Sequence, residues 1–591
     1  MGRRWIALTL CIAAVPAAAA PPGVVVFLAD DAGYGDFSFT GNANVATPAI
    51  DSLARDGAVL ARFMVQPVCS PTRAEFLTGR CHPRSGVRGV TAGDERMAAD
   101  ATTIADVFRA GGYATGCFGK WHNGIQWPYH PRARGFEAFC GFAEGHWGAA
   151  FDPPLQCDSA FVRGRGFIVD DLTERAIDFI RGARAAGRPF FCYVPFNTPH
   201  SPLSVPDADW ARWRDRPVDR RGPRGDAEDL PATRAALALV ENLDRNVGRV
   251  LRVLDELGAR DDTIVVFFSD NGPNGPRWNA GLKGVKGSTD EGGVRSACCI
   301  RYPARIRAGA VIEDVAGAID LLPTLAGLAG IACRTAQPLD GVDLASRLAG
   351  DEAAPRRPGR AIVARLGDRV SVRTARHRLD AAGRLFDVDA DPGQARDVAA
   401  DEPAEAERLR EIAAAYRRDL LTADRIEPRP FAVGHPGAPL TELTAGEATP
   451  RGGIVRSSRH RNCSFLTRWT STDDAIDWPV DVLTPGRYDV DVWCTVPESG
   501  VGATVRLACG AATVTGMFGP AWNPPLWDGY DRVPRVEGYD KEFRPLRLGT
   551  IDLPAGPATL RLQATAVPGG EVGDVRRIVL LPSGADRGAR D

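Results

Sequence analysis

A chain of 591 residues exceeds what one hydrophobic core usually supports, so two or three structural units are expected. One quarter of the residues are charged and the formal net charge is -2, which leaves no basic footprint for nucleic acid. Beyond the N-terminus no apolar run is long enough to span a bilayer, so a membrane also drops out as a partner.

In chain order, Arg3 and Arg4 precede an apolar stretch over 5–15 and a small-residue run over 17–20. This is the layout of a secretory signal peptide, here residues 1–19, with a membrane anchor as the alternative reading. Cleavage is expected after Ala19, because cutting after Ala20 would set Pro21 behind the scissile bond. Cys11 lacks the small preceding residue of a lipoprotein signal, so the expected product is soluble and periplasmic or secreted.

Apolar, β-branched runs over 24–28, 190–196 and 264–268 end abruptly in Asp30 and Asp31, in His200, and in Asp270 and Asn271. Short continuous apolar runs bounded by polar residues suit central strands of a parallel sheet. Helical patterns over 103–109, 172–184 and 232–257 alternate with them. The expected class is α/β, a mostly parallel central sheet with helices on both faces, in which ligands gather beyond the carboxyl ends of the strands. This unit is placed at 20–320.

A smaller α+β subdomain is expected over 321–430, with a helix at 320–329, a short strand at 385–388 and a helix at 402–420 rich in alanine, glutamate and arginine. A Pro- and Gly-containing linker over 428–439 then leads to alternating strands such as 487–493, 504–508 and 559–564. These read as an additional C-terminal β-sandwich over 440–591. Trp522, Trp527, Tyr530 and Tyr539 crowd one of its loops, where they would stack on sugar rings, roof a site, or be buried as a structural cap.

The chain has 13 cysteines. Without Cys11 and Cys69 an odd number remains, scattered without zinc-type spacing, and most read as small buried hydrophobes. Arginine has almost displaced lysine: of 72 basic residues only Lys120, Lys283, Lys286 and Lys541 are lysines. Three of the four fall in the motifs that carry the chemistry, where a compact ammonium differs from a guanidinium fork.

Cys69 opens the segment Cys69-Ser70-Pro71-Thr72-Arg73-Ala74-Glu75-Phe76-Leu77-Thr78-Gly79-Arg80. Pro71 suits a first helical turn, so Cys69 is expected at a helix N-terminus, whose free N–H groups and partial positive charge favour an anion. Four further strings stand out: Asp30-Asp31 with Gly33-Tyr34-Gly35-Asp36, Gly119-Lys120-Trp121-His122, Asn197-Thr198-Pro199-His200-Ser201-Pro202, and Gly284-Val285-Lys286-Gly287-Ser288-Thr289. Taken singly, adjacent aspartates are turn or capping residues and a lone histidine is structural.

Together these segments resemble the formylglycine-dependent sulfatases of the alkaline phosphatase superfamily, arylsulfatase-A-like in character, over most of residues 24–430. The resemblance implies an alkaline-phosphatase-like fold and oxidation of Cys69 to formylglycine by a maturation enzyme that reads Pro71 and Arg73. It implies a metal cradle of Asp30, Asp31, Asp270, Asn271 and the residue-69 hydrate. Such an all-oxygen set selects Ca²⁺ or Mg²⁺.

Lys120 would bridge residue 69 and the sulfate, and Arg73 would hold residue 69 in place. His122 would act as base on the hydrate, in a two-step displacement. His200 and Lys286 would contact the sulfate, one of them protonating the departing alcohol. Asp290, Val285 and Glu75 depart from commoner residues of such segments, which bears on specificity more than on chemistry.

The loops 145–148, 277–279 and 127–134 offer groups for substrate recognition, and a sulfated carbohydrate is the preferred substrate. A phosphonate monoester or phosphodiester hydrolase of the same superfamily is the alternative activity. A catalytically inactive glycan-binding protein is the alternative of another class.

Overall fold

The computed structural model describes residues 21–584 apart from 352, 422–428 and 439. The expected signal peptide and part of the expected linker therefore lie outside the described residues. Ten strands form the central sheet: β1 (Gly23–Asp30), β2 (Ala58–Met64), β3 (Ala114–Lys120), β4 (Ala138–Phe142), β5 (Pro154–Cys157), β6 (Ala160–Arg163), β7 (Phe190–Pro199), β8 (Thr263–Ser269), β9 (Cys298–Arg301) and β10 (Ala310–Gly317). Their order is β10-β2-β9-β8-β1-β7-β3-β4-β5-β6. The central pairings β8-β1-β7-β3-β4 are parallel, whereas β9 and β5 run against their neighbours.

The continuous apolar runs have a physical reason. Val24, Val26 and Leu28 of β1 enter one core, with Phe76 and Leu77 of helix Cys69–Thr78 and with helix Leu321–Ala329. Val25, Phe27 and Ala29 enter the other, against helices Ile168–Ala185 and Leu230–Glu256. A strand buried on both faces has no polar side to alternate with. All three helical patterns read from the sequence form, each within a few residues of the expected bounds.

The helix expected to open the second unit belongs instead to the first. Leu321, Leu322 and Leu325, with Leu344 and Leu348 further on, pack in the core under the central sheet. The second unit proper is a four-stranded antiparallel sheet, β11 (Ile362–Leu366), β12 (Arg369–Arg373), β13 (His377–Leu379) and β14 (Leu385–Asp387), packed on helix Pro403–Tyr416 around its own small core.

The C-terminal region is two six-stranded sheets facing each other across a core that includes Trp469, Trp478, Val490, Leu562 and Ile578. It begins earlier than expected: strand β15 (Phe431–Val433), inside the stretch read as a linker, pairs with Ala475–Val482. Cys140 and Cys157 form a disulfide between β4 and β5. Cys117, Cys192, Cys298, Cys299, Cys494 and Cys509 are buried free thiols.

Candidate active site

The expected site residues converge at the carboxyl end of the sheet. Asp30 ends β1 and Lys120 ends β3, His200 follows β7, and Asp270 and Asn271 follow β8. Gly119, at φ +146°, lies where a Cβ would stand 1.9 Å from the Pro195 carbonyl oxygen, so only glycine lets β3 and β7 close up just before Lys120. Asp31 and His122 take left-handed φ of 66° and 61°. Each costs about 1–2 kcal/mol for a non-glycine residue, which the packing around the site must offset.

Cys69 is the first residue of its helix, as expected, and is buried. Its Sγ lies 3.3 Å from Asp30 Oδ1 and 3.8 Å from Asp31 Oδ1. Burial, reinforced by Asp270, pushes the thiol well above its usual range, so an unmodified Cys69 stays protonated.

Asp30, Asp31 and Asp270 are fully buried within one small volume. Burial opposes ionisation of all three, but Lys120 at 2.7 Å from Asp30 and Lys286 at 2.7 Å from Asp31 hold those two below the usual carboxylate range. Asp270, paired with Arg73 at 2.9 Å and 3.1 Å, is nevertheless pushed up to about 7 by burial and by Asp30. Three buried carboxylates that repel one another are a donor set suited to a hard divalent cation.

Asn271 adds the test of fit. Its amide nitrogen donates to Asp31 Oδ1 at 2.9 Å and to the Gly272 carbonyl, while its Oδ1 is buried with no partner at all. An orphaned amide oxygen beside buried aspartates is what a cation ligand looks like before the ion arrives. The residues fit a hard metal ion.

The other expected residues also gather here. Arg73 donates to Asp270 and, at 2.6 Å, to the Lys120 carbonyl, tying the Cys69 helix to two strand ends. His122 Nε2 is 2.8 Å from the Val90 carbonyl, which fixes that nitrogen as the donor, and Nδ1 is buried without a partner. Burial and then Lys120 hold His122 far below its usual pKa, so it is a neutral imidazole with a free lone pair.

His200 Nδ1 lies 2.6 Å from the Ser201 carbonyl and its Nε2 3.6 Å from Asp31. Burial and Lys286 lower its pKa. Lys286 is the reverse case. Burial alone would lower it, but Asp31 and its neighbours raise it above the ordinary lysine value, so it arrives as the ammonium.

These side chains floor a cavity of about 740 Å³ whose lining includes Cys69, His122, His146, His200 and Lys286. The far wall comes from the β-sandwich, through 533–537 of the loop for which roofing a site was one expectation, and through 460–462, which no expectation singled out. Asn462 donates to the Val90 carbonyl at 2.8 Å, and Glu537 Oε1 accepts from Ser201 Oγ at 2.6 Å. Burial opposes the charge of Glu537, but His200 and Ser201 hold it below the usual carboxylate range. No short-range signal in the chain announces these residues, which lie 372 and 336 positions from the residues they meet.

Several loop expectations are corrected. Arg277 is buried against Asp36 and Asn279 is hydrogen-bonded to the Gly35 N–H, so both brace the 33–36 turn rather than face the cavity. Trp127, His130 and Arg132 bound a separate cavity of about 290 Å³. The aromatic loop does roof the site, through 533–537, but its rings pack elsewhere: Tyr530 on Phe151, Tyr539 under Arg535 and Trp522 under Arg544. Of the three candidate recognition loops, 145–148 alone reaches the cavity, with Gly145 and His146.

Known proteins share this arrangement of sequence and fold. The sulfatase family model matches residues 22–331, more than half of the chain. Arylsulfatase A of Bos taurus is 35% identical over 388 residues, covering 59% of this chain and 72% of that protein. N-acetylgalactosamine-6-sulfatase of Canis lupus familiaris is 30% identical over 388 residues, covering 58% of this chain and 70% of that protein. Among solved structures, Ps i-CgsB in complex with k-i-k-neocarrahexaose superposes with a TM-score of 0.60 at 28% identity, over 67% of this chain and 92% of that one.

Proposed function

The chain belongs to the sulfatase family of the alkaline phosphatase superfamily and is a sulfuric ester hydrolase; on that premise we propose that residue 69, as formylglycine, and one Ca²⁺ or Mg²⁺ act together on a sulfated carbohydrate. The observation that carries this reading is the position of Cys69. It opens a buried helix within 4 Å of Asp30 and Asp31, on the floor of a cavity that also holds His122, His200 and Lys286.

The ion, held by Asp30, Asp31, Asp270 and Asn271, would supply Lewis-acid stabilisation of charge on the sulfate oxygens. Formylglycine would supply, as its hydrate, one hydroxyl to attack sulfur and a second whose deprotonation releases sulfate. The rest is work for this chain's residues. Lys120, buried, and Lys286, half-buried and open to the cavity, each pair with a carboxylate and present fixed positive charge to the ester and to the charge that develops on its leaving oxygen.

Lys286 arrives protonated and is the donor to the departing alcohol. His200 directs its Nδ1–H to the Ser201 carbonyl, so its neutral Nε2 orients rather than donates. His122 Nδ1, neutral and unpartnered, takes the proton of the hydrate. Arg73 keeps Asp270 and the Cys69 helix in register and touches no substrate.

The carbohydrate assignment rests on the polar groups among the cavity's lining, His146, Asn462 and Glu537, and on relatives whose names specify N-acetylgalactosamine-6-sulfatase and a complex with k-i-k-neocarrahexaose. We further propose a leader over 1–19, a catalytic unit from 20, a smaller unit through 430, an accessory sandwich, and a periplasmic or secreted location after maturation by a formylglycine-generating enzyme. The Cys140–Cys157 disulfide supports an oxidising compartment, and no described helix is long and apolar enough to cross a membrane.

Release of inorganic sulfate from a panel of defined sulfated saccharides, run beside an aryl phosphonate and a phosphodiester, tests the reading. Sulfate release at a rate at least tenfold above either phosphorus substrate is expected. The opposite order would assign the site to phosphorus esters.

A further inference from the structure

The accessory sandwich brings a carboxylate into an anion-binding cavity, and that conflict is informative. The sulfate end is lined by Cys69, His122, His200 and Lys286, with Lys120 and the proposed metal ligands buried behind them, so on the sulfatase reading it takes a negative charge. Glu537 cannot bind a sulfate oxygen, because like charges repel and a carboxylate offers no hydrogen. It therefore serves another part of the substrate.

The loop that carries it is fixed in place. Asp531 accepts from Ser204 Oγ at 2.8 Å, and the Arg532 N–H donates to the Leu203 carbonyl at 3.2 Å. The Arg535 side chain, 2% exposed, grips Asp531 at 2.6 Å and 3.0 Å and reaches the Gly148 carbonyl at 3.2 Å. Glu537 then spends Oε1 on Ser201, next in sequence to His200, and leaves Oε2 buried without a donor. Across from it, His146 is 5% exposed and neither ring nitrogen has a partner. Ligand atoms of His146, His200 and Glu537 all lie within 4.8 Å of one another.

Buried polar atoms are paired in nearly all folded proteins, so orphans gathered at one end of a cavity mark where a ligand completes the pairing. We propose that Glu537 and His146 form a subsite for the alcohol part of the substrate, receiving a hydroxyl or ammonium carried on a carbon adjacent to the sulfate ester. The inference rests on the sulfatase reading and narrows its substrate class. Vicinal hydroxy- and amino-sulfates fit. A neighbouring carboxylate or second sulfate is repelled by Glu537, and a flat aryl or fused-ring alcohol leaves both orphans unpaired. The sandwich is accordingly a working part of the specificity pocket.

The test is a cycle of enzyme and substrate changes. Monosaccharide sulfates that the enzyme hydrolyses are compared with counterparts whose neighbouring hydroxyl is methylated, and kcat/KM is measured for wild type, Glu537→Gln and Glu537→Ala. Wild type is expected to prefer the free hydroxyl by about 10- to 100-fold, the range for a hydrogen bond to a charged group. Both variants should compress that ratio to within about threefold, with Glu537→Gln keeping the wild-type melting temperature because its amide oxygen still accepts from Ser201.

A preference that survives both substitutions overturns the inference and leaves the sulfatase reading standing. Turnover of aryl sulfate with none of any sugar sulfate defeats the carbohydrate reading and the inference together. One tightly bound Zn²⁺ per chain, lost in both His146→Ala and Glu537→Gln, would overturn it by assigning the trio to a metal.

Discussion

Asp270→Asn separates the structural from the metal-binding role of this carboxylate. Both oxygens of Asp270 are committed: Oδ1 accepts from the Asp31 N–H at 3.1 Å and Oδ2 accepts twice from Arg73. An amide supplies one acceptor, so in either orientation its NH₂ faces a donor, the backbone N–H or the guanidinium. Arg73 is wholly buried, and breaking a buried ion pair from one side costs about 3–5 kcal/mol. The metal-free loss should fall toward the low end, because Asp270 is pushed up to about 7 and is only partly ionised at neutral pH. Removing it also relieves its repulsion with Asp30.

The gain from metal should vanish. A ligand at 100 times its Kd stabilises the folded state by about 2.7 kcal/mol, and the variant has lost one of the proposed anionic ligands. Urea unfolding of both proteins, in chelator and in saturating Ca²⁺, reads the two effects separately. The expected pattern is a lower midpoint in chelator and no calcium-dependent rise. A variant matching wild type in chelator and rising equally with Ca²⁺ would refute both the pairing argument and the ligand assignment.

Lys286→Arg should stay folded, since a guanidinium can still pair with Asp31, yet lose at least about tenfold in kcat, or about 1.4 kcal/mol of transition-state stabilisation. The loss should shrink for substrates with good leaving groups, which a series of aryl sulfates of graded leaving-group pKa would show. Glu75→Gln should stabilise the protein at alkaline pH. Burial raises Glu75 from 4.5 to about 8, so the folded state binds its proton more tightly than the unfolded chain and wild-type stability falls as pH climbs through that window. Melting curves should show the variant gaining up to about 4 kcal/mol near pH 8 and nothing near pH 4.

Much of this was legible in the chain. The polar residues that end apolar runs at Asp30, His200 and Asp270 marked the functional edge of the sheet, because a fully buried strand has nowhere else to place a charge. Pro71 put Cys69 at a helix start for a purely local reason. Distant partnerships were not legible. Arg277 looked like a recognition residue until Asp36, 241 positions away, was seen to neutralise it. Glu537 sits in a Pro- and Gly-rich loop whose residues give no hint of Ser201. The boundary at 321 failed because helix Leu321–Ala329 changes composition without changing core.

The measurement closest to the central claim tracks residue 69 and turnover in the same samples. Enzyme prepared with and without a formylglycine-generating maturation enzyme should show, by mass spectrometry of the peptide containing residue 69, a graded fraction of aldehyde in place of cysteine. Specific activity toward a sulfate ester should rise in proportion to that fraction and extrapolate to zero when none is present. Full activity in protein carrying only unmodified Cys69 would contradict the account.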